Sequence, residues 1–300
     1  MAESEDSLRP IVVGTDLAPA ALAAAEWGAE RAELLGAPLT LVMVAPGLPI
    51  PTRTSVYKAM HSPDYLVEVR ERVSRRLDEE AERVRQKFPG VAVDTFVSEG
   101  DAAGVLVELS RTALVTVIGT HGKPDLVEAF LGSTAEGVIM NAYGTVVAVP
   151  PDAYDRAAPV VAGVDNAAAE DPVLRAAHTE ANVMKRPLVI LHAWQEMIFA
   201  TPFDMPVMLS DPLAIDGELR SLIEESLERY REEFPDVLAE LEVVQGYPRE
   251  ALVDRSRTAS ALVVGARGKG GFLGLLLGST SRHVVRHSHC PVIVVRPRPS

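Results

Sequence analysis

Short runs of apolar and β-branched residues alternate along this chain with longer stretches whose apolar residues recur at helical spacing. The first pair is "PIVVGT" followed by "APAALAAAEWGAERAELLG", which closes at Gly36, a residue typical of a helix C-cap. The next pair, "PLTLVMVAP" and the charged "YLVEVRERVSRRLDEEAERVRQKF", repeats the alternation. Near-continuous apolar strands are typical of parallel sheets that are buried on both faces. The pattern therefore predicts an α/β fold with a doubly wound parallel sheet and right-handed crossovers.

The whole pattern occurs twice. "RPIVVGTD" ends at Asp16 and "APVVAGVD" ends at Asp165, and "LSRTALVTVIGTHG" is matched later by "RSRTASALVVGARG". The offset between the copies is 149 residues at the aspartate and 146 residues from Phe88 onward. We therefore predict two five-stranded Rossmann-like modules in tandem, at residues 1–150 and 151–300, joined by the proline- and alanine-rich "VPPDAYDRAAP".

Composition narrows the classes of partner. Hydrophobic residues make up 47% and charged residues 24% of the 300 residues, which is typical of a globular protein. The formal net charge of −13 disfavours nucleic acid and anionic lipid as partners. The single cysteine, Cys290, indicates a reducing compartment, and the acidic start "MAESEDSLRP" is unlike a secretory signal. No apolar run approaches the ~20 residues of a membrane helix. We therefore expect a cytoplasmic protein.

The residues that carry chemistry follow the first and fourth strands of each module. Asp16 and Asp165 close the first strands, and Gly119 and Gly265 close the fourth. In a doubly wound sheet, ligands bind outside the carboxyl ends of the strands, where the strand order reverses. With the first strand near the centre, that crevice lies between the first and fourth strands. The sequence therefore predicts one ligand site in each module.

A glycine spacing is duplicated after the fourth strand. It reads G-x2-G-x9-G-S in both modules, whereas the nine intervening residues, "KPDLVEAFL" and "KGGFLGLLL", differ almost completely. A flexible linker does not keep a spacing while its other residues change, whereas glycine lets the backbone approach a ligand closely. The final serine stands where a helix N-cap belongs, and the helix after it offers free N–H groups to an anion. The motif is neither a P-loop nor a dinucleotide fingerprint.

This loop, set in a five-stranded α/β module whose first strand ends in aspartate, resembles that of the universal stress protein family. The resemblance covers essentially the whole chain twice, as in the tandem members. One branch of the family binds ATP and another lacks the loop, and both modules resemble the ATP-binding branch. The resemblance implies one ATP per module and antiparallel pairing of the last strands, "TVVAVP" and "PVIVVRP". A homodimer of chains is a further expectation.

The resemblance also implies which residues form the two sites. The phosphates are expected on Gly119, Gly122, Gly132, Ser133 and Thr134 in the first module, and on Gly265, Gly268, Gly278, Ser279, Thr280 and Ser281 in the second. The adenosine end is expected at Gly14, Thr15, Asp16 and Val44, and at Gly163, Val164, Asp165 and Ala193. Ala135 replaces a hydroxyl that Ser281 keeps, so we expect the first site to hold phosphate less well.

Two interpretations of Asp16 and Asp165 stay open at this point. A carboxylate is repelled by a triphosphate, so it is expected to accept from the base or ribose, or to coordinate Mg²⁺ through water. Alternatively, each aspartate caps the helix that follows, because "TDLAPAA" and "VDNAAAE" both read as helix starts.

Catalysis is not predicted. Water attack on a γ-phosphate needs a base or a water-positioning residue, and His121 of the first loop is replaced by Arg267 in the second. The primary hypothesis is an ATP-binding stress-response or regulatory protein with slow or no turnover. The alternatives are a slow ATPase or phosphotransfer enzyme that uses Mg-ATP, and an interaction scaffold that binds no nucleotide.

A metal centre is not predicted either. The segment "HVVRHSHC" contains His283, His287, His289 and Cys290, of which the first two are four apart and can share a helix face. However, the segment spans a helix end and the start of the last strand, so the four side chains are expected to diverge. Cys290 reads as a small buried hydrophobic residue.

Overall fold

The structure is a computed structural model that describes residues 9–46, 63–120, 131–165, 171–194, 199–200, 206–207, 221, 224, 227–266 and 277–296. Within these residues the chain divides into two compact units, of which the first ends at Asp152 and the second spans Ala153–Arg296. Each unit contains one sheet of five parallel strands connected by helices, so the predicted α/β fold with two tandem modules is confirmed.

The first unit alternates strands and helices throughout. Its elements are β1 (Ile11–Gly14), α1 (Pro19–Leu35), β2 (Leu39–Pro46), α2 (Pro63–Lys87), β3 (Val93–Gly100), α3 (Ala102–Leu109), β4 (Val115–Gly119), α4 (Ser133–Asn141) and β5 (Val146–Val149). The strand order is β5-β4-β1-β2-β3, and every neighbouring pair is parallel. The chain therefore starts at the centre of the sheet, winds to one edge and then returns to build the other side.

The second unit has the same topology. Its elements are β6 (Val160–Gly163), α5 (Asp171–Met184), β7 (Leu188–Trp194), β8 (Phe199–Ala200), β9 (Pro206–Val207), α6 (helical at 227–233), β10 (Ala239–Gln245), α7 (Pro248–Arg255), a 3₁₀ turn (Ser256–Thr258), β11 (Ala261–Gly265), α8 (Ser279–His287) and β12 (Val292–Val295). The strand order is β10-β7-β6-β11-β12, again entirely parallel. Strands β8 and β9 form a separate antiparallel pair. The predicted pairing of the last strands of the two modules stays a prediction.

The central strand shows why the apolar runs are continuous. Ile11 and Val13 point to one face of the sheet and are fully buried, and Val12 points to the other face and is only 2% exposed. Alternate residues of a strand point to opposite faces, so helices must cover both faces of β1.

Helix α1 begins with a proline in its first turn and ends at a glycine C-cap. Pro19 stands in the first turn, where its missing N–H removes no intrahelical bond. Gly36 adopts the left-handed conformation, with φ of 64°, and its N–H donates to the last-turn carbonyls. The predicted C-cap is confirmed. In the described part of the chain, no helix combines the length and the apolar character that a membrane crossing requires.

Candidate functional site

The carboxyl ends of the central strand and its neighbour lie side by side in each unit. Gly14 of β1 pairs with Ile118 of β4, and Gly163 of β6 pairs with Val264 of β11. At both places the strand order reverses, because the chain continues from the central strand to opposite sides of the sheet. The predicted crevice between the first and fourth strands is thus the observed switch point.

A tight turn connects β1 to α1 at this edge. Thr15 is buried, its N–H donates to the carbonyl of Val42 at 2.9 Å, and its Oγ1 accepts from the N–H of Leu17 at 3.0 Å. Asp16 is exposed, and its Oδ1 accepts from the N–H of Ala18 at 2.9 Å. Because Ala18 is the N-cap of α1 and has no side-chain cap, Asp16 orders the turn rather than capping the helix. The capping interpretation of Asp16 is therefore corrected.

In the second unit a buried histidine contacts the turn that follows the central strand, and this histidine was not among the predicted site residues. His192 lies on β7, is 5% exposed, and places its Nδ1 2.9 Å from the carbonyl oxygen of Val164. Val164 in turn donates its N–H to the carbonyl of Leu191 at 3.0 Å. Met43 occupies the position of His192 in the first unit, so the hydrogen bond from this position to the turn is specific to the second unit. The sequence signal for it is one polar residue inside the apolar run "LVILHAW".

The glycines that end the strands have close packing contacts. A Cβ on Gly119 would lie 2.5 Å from the carbonyl carbon of Ala20 and 2.6 Å from the nitrogen of Ala21, in the first turn of α1. A Cβ on Gly14 would lie 2.5 Å from Cδ1 of Leu106, and the corresponding glycine of the second unit packs on a leucine of α7. Gly119 therefore requires glycine for packing, whether or not a ligand binds, because its close neighbours are backbone atoms; at the other two glycines a leucine side chain can move aside.

Helices α4 and α8 begin one residue earlier than predicted. Gly132 and Gly278 are the N-cap residues, and their carbonyls accept the first intrahelical hydrogen bonds at 2.9 and 3.0 Å. Neither helix has a side-chain hydrogen bond at its cap. Ser133 and Ser279 are the first helical residues and are exposed, so the prediction that these serines are the caps was wrong. In the described part of the chain, the N-cap residue offers no side-chain acceptor to the first-turn N–H groups of either helix, and such groups are the ones that bind anions.

Ser281 connects α8 to the end of β11. Its Oγ donates to the carbonyl of Gly265 at 2.6 Å, and the N–H of Gly278 donates to the carbonyl of Ala266 at 2.7 Å. Ala135 is buried at the equivalent position of the first unit and cannot form the hydroxyl bond. The hydroxyl expected on phosphate is engaged within the protein, and the two units differ in how the start of the helix is held.

The first turns of α4 and α8 also differ in charge. Thr134 and Thr280 are the second residues of these helices and are half-buried. Two residues later, α4 has Glu136 and α8 has Arg282. A negative side chain near a helix N-terminus opposes the approach of an anion and a positive one favours it. The start of α8 is therefore electrostatically better suited to an anion than the start of α4.

Val44 and Ala193 lie near the carboxyl ends of β2 and β7 and are half-buried. Each stands two residues beyond the position that pairs with the last glycine of the central strand. Asp165 follows β6 at the same edge and is exposed. These residues thus gather at the edge where the adenosine end was predicted. Two predicted site glycines and the two residues that precede them lie outside the described residues: Gly122, Gly268, His121 and Arg267.

The segment with histidines and a cysteine divides into two parts. His283 and His287 share α8, with ring centroids 4.3 Å apart, whereas His289 and Cys290 precede β12. Cys290 is fully buried as a free thiol, which confirms that prediction, and burial raises its pKa to about 12. The pKa of His283 is lowered, first by burial and then by His287 and Arg249. Among the described residues, no three His, Cys, Asp or Glu side chains are grouped to hold a metal ion.

The fold and the two switch-point crevices define a class, that of doubly wound α/β modules with a ligand site at the carboxyl edge of the sheet. The Universal stress protein family matches residues 7–150 and 158–296. The chain belongs to the universal stress protein family, which assigns it to the stress response.

Curated universal stress proteins align with nearly the whole of this chain. A universal stress protein of Mycolicibacterium smegmatis is 32% identical over 295 residues, covering 96% of this chain and 97% of the relative. A universal stress protein of Mycobacterium tuberculosis is 31% identical over 304 residues, covering 95% and 94%. The crystal structure of a universal stress protein from Archaeoglobus fulgidus superposes with a TM-score of 0.72 at 20% identity, covering 96% and 98%, and supports the fold.

Proposed function

We propose that this protein is a nucleotide-binding regulator of the stress response that holds one ATP in each module. One observation carries the proposal. In both units a strand ends in glycine at the switch point, and the helix after it begins at glycine with no side-chain cap. In the second unit this helix start is bonded directly to the residue after β11. Phosphate is the ligand class that uses such a pair of features.

The physical basis is local. The net charge of −13 repels an anion at long range, so affinity has to come from short-range donors. Uncapped N–H groups, the positive end of the helix dipole, and the hydroxyls of Ser133 and Ser279 supply such donors. Mg²⁺ accompanies the triphosphate in this proposal, and Asp16 and Asp165 stand at the same edge to bind the ribose or base, or the metal through water.

The proposed activity is binding, with slow turnover or none. Hydrolysis needs a group that orients the attacking water, and the two loops carry different residues, His121 and Arg267, where a shared base would stand.

The proposal also places the protein in the cytoplasm, since a single buried free cysteine suits a reducing compartment.

Release of bound nucleotide tests the proposal. The protein is purified without added nucleotide and denatured, and the released compounds are identified and quantified; we expect close to two ATP per chain. ADP that accumulates over multiple turnovers would instead identify the ATPase. If no nucleotide is released and Mg-ATP leaves the melting temperature unchanged, both nucleotide functions fail and the scaffold alternative stands.

Alanine at the helix-start glycines localises the sites. Gly132 and Gly278 have φ near −60°, which alanine adopts, so the modules should fold while the added Cβ obstructs phosphate. Each variant should lose affinity for Mg-ATP at its own site by about 10-fold or more, measured by calorimetry. Gly90→Ala is the matched control, because its Cβ meets only Glu33 Oε1 at 3.6 Å. Unchanged ATP occupancy in the double variant would refute the phosphate assignment.

The charge difference between the helix starts predicts unequal sites. Two unit charges ~10 Å apart in water interact by about 0.4 kcal/mol. Mg-ATP carries about two net negative charges, so reversing one side-chain charge beside it changes the binding free energy by about 0.5 kcal/mol after screening, or roughly 2-fold in affinity. Arg282→Glu should therefore weaken the second site and Glu136→Arg should strengthen the first. Glu79→Arg, on the exposed side of α2, is the charge-matched control for the second of these.

A further inference from the structure

Two histidines share one face of helix α8 and have no part in the proposed nucleotide site. His283 and His287 are four residues apart, and their ring centroids lie 4.3 Å apart with the rings inclined by 32°. His283 is half-buried and His287 is exposed, so the pair is accessible from solvent. The first unit has Gly137 and Asn141 at the equivalent positions, so only the second module carries the pair.

Metal coordination gives this arrangement a chemical reason. Imidazole nitrogens are common ligands of late first-row divalent metals, and histidines at positions i and i+4 of a helix can bind one ion together. Two nitrogens that each lie about 2.1 Å from an ion are about 3 Å apart. The ring centroids of His283 and His287 are 4.3 Å apart, so we expect rotation of the two side chains to bring one nitrogen of each ring to that separation.

The charges that face His283 come from α7, which packs against α8. Arg249 opposes a cation there and Glu250 favours one, and the two side chains are 3.7 Å apart as an ion pair. Arg249 acts on His283 more strongly than Glu250 does, so the pair gives a cation no net attraction and metal affinity has to come from the two imidazoles.

The position of the pair in the helix explains one histidine but not both. His287 is the last residue of α8, where a positive group interacts favourably with the helix dipole, as Arg286 also does. His283 lies one turn earlier, where the dipole gives no reason for a histidine.

We propose that His283 and His287 form a two-histidine site for a late first-row divalent transition-metal ion, such as Ni²⁺, Cu²⁺ or Zn²⁺, with water completing the coordination sphere. His289 lies beyond the end of the helix, and the thiol of Cys290 is fully buried, so neither supplies a further ligand. The site is independent of ATP binding, and its tests are done on nucleotide-free protein.

Titration of the full-length protein with NiCl₂ by calorimetry tests the site. We expect one Ni²⁺ per chain to be bound by both histidines. His283→Gln and His287→Gln should each weaken this binding by about 100-fold, because a single imidazole loses the gain in effective concentration that a second ligand provides. His289→Gln, which removes a neighbouring histidine from outside the helix, should bind as the wild type does. No bound ion in the wild type, or binding that survives either of the first two substitutions, overturns the proposal.

A measurement on the wild type covers the case in which a variant does not fold. One equivalent of Cu²⁺ is added to the protein, and pulsed electron paramagnetic resonance counts the imidazoles coupled to the ion. Two coupled imidazoles are expected; one or none overturns the proposal.

Discussion

Replacing Gly119 with alanine should destabilise the first module even when no nucleotide is present. The new Cβ would lie 2.5 Å from the carbonyl carbon of Ala20 and 2.6 Å from both the carbonyl oxygen of Ala20 and the nitrogen of Ala21. All three are backbone atoms of the first turn of α1, so no side-chain rotation relieves the overlap. Carbon atoms pack at about 3.5–4.0 Å, and the helix must therefore move by about 1 Å relative to β4.

Overpacking of this kind typically costs about 1–3 kcal/mol, and a backbone contact belongs at the upper end. A loss of about 3 kcal/mol in a module of this size lowers the melting temperature by roughly 6–12 °C. Thermal unfolding of the nucleotide-free protein, followed by circular dichroism, measures the change. Gly90→Ala is again the control, with an expected effect within about 0.5 kcal/mol.

A Gly119→Ala variant that melts within about 2 °C of the wild type would show that the close approach of α1 to Gly119 is wrong. The expected result has a consequence for nucleotide studies. Loss of ATP in this variant would reflect a disturbed module, so the substitutions at Gly132 and Gly278, whose backbone angles alanine adopts, are the ones used to test phosphate binding.

The remaining predictions concern hydrogen bonding, pH and thiol reactivity. Ser256 is buried, donates to the carbonyl of Val253 at 2.6 Å and accepts from the N–H of His289 at 3.0 Å, so Ser256→Ala should lower the free energy of unfolding by about 2 kcal/mol. In urea denaturation, Ser260→Ala should change it less, since that buried hydroxyl has no hydrogen-bond partner within the described residues; an equal loss in both would contradict the reasoning. Burial lowers the pKa of His178 below its usual 6.5, so the unfolded chain takes up a proton first and stability should fall as the pH drops below about 6.5. The fall in melting temperature between pH 7.5 and pH 5.5 should be smaller in His178→Gln than in the wild type. An equal fall in both would show that His178 does not cause the loss of stability. The pKa of Cys290 is raised to about 12, so iodoacetamide at pH 8 should label it only after denaturation, as mass spectrometry would show.

Most of the fold could be predicted because its signals are local. The apolar runs mark the strands, Gly36 marks the end of α1, and the repeated pattern implies one topology used twice. The start of α4 and α8 was misplaced by one residue, because glycine and serine are both acceptable N-caps and their order alone does not distinguish them.

The candidate site was only partly predictable. Its location follows from the strand order, which the alternation of strands and helices indicates. The contacts that shape it join residues far apart in sequence: Ser281 with Gly265, and His192 with Val164. A polar residue inside an apolar strand singles out His192, but no local pattern indicates the partner of either bond. Of the four side chains expected to diverge, His283 and His287 share a face of α8, because that helix extends as far as His287, whereas His289 and Cys290 lie beyond its end.

The sequence by itself determined the class of fold, the duplication and the edge of the sheet at which a ligand is expected. These depend on hydrophobic periodicity and on strand order, which a chain carries in its local composition. Only the tertiary structure decided that Gly119 is required by the packing of α1 and that the two helix starts are held differently. Packing and long-range hydrogen bonds depend on distances between elements, and those distances exist only once the whole sheet and its helices are assembled.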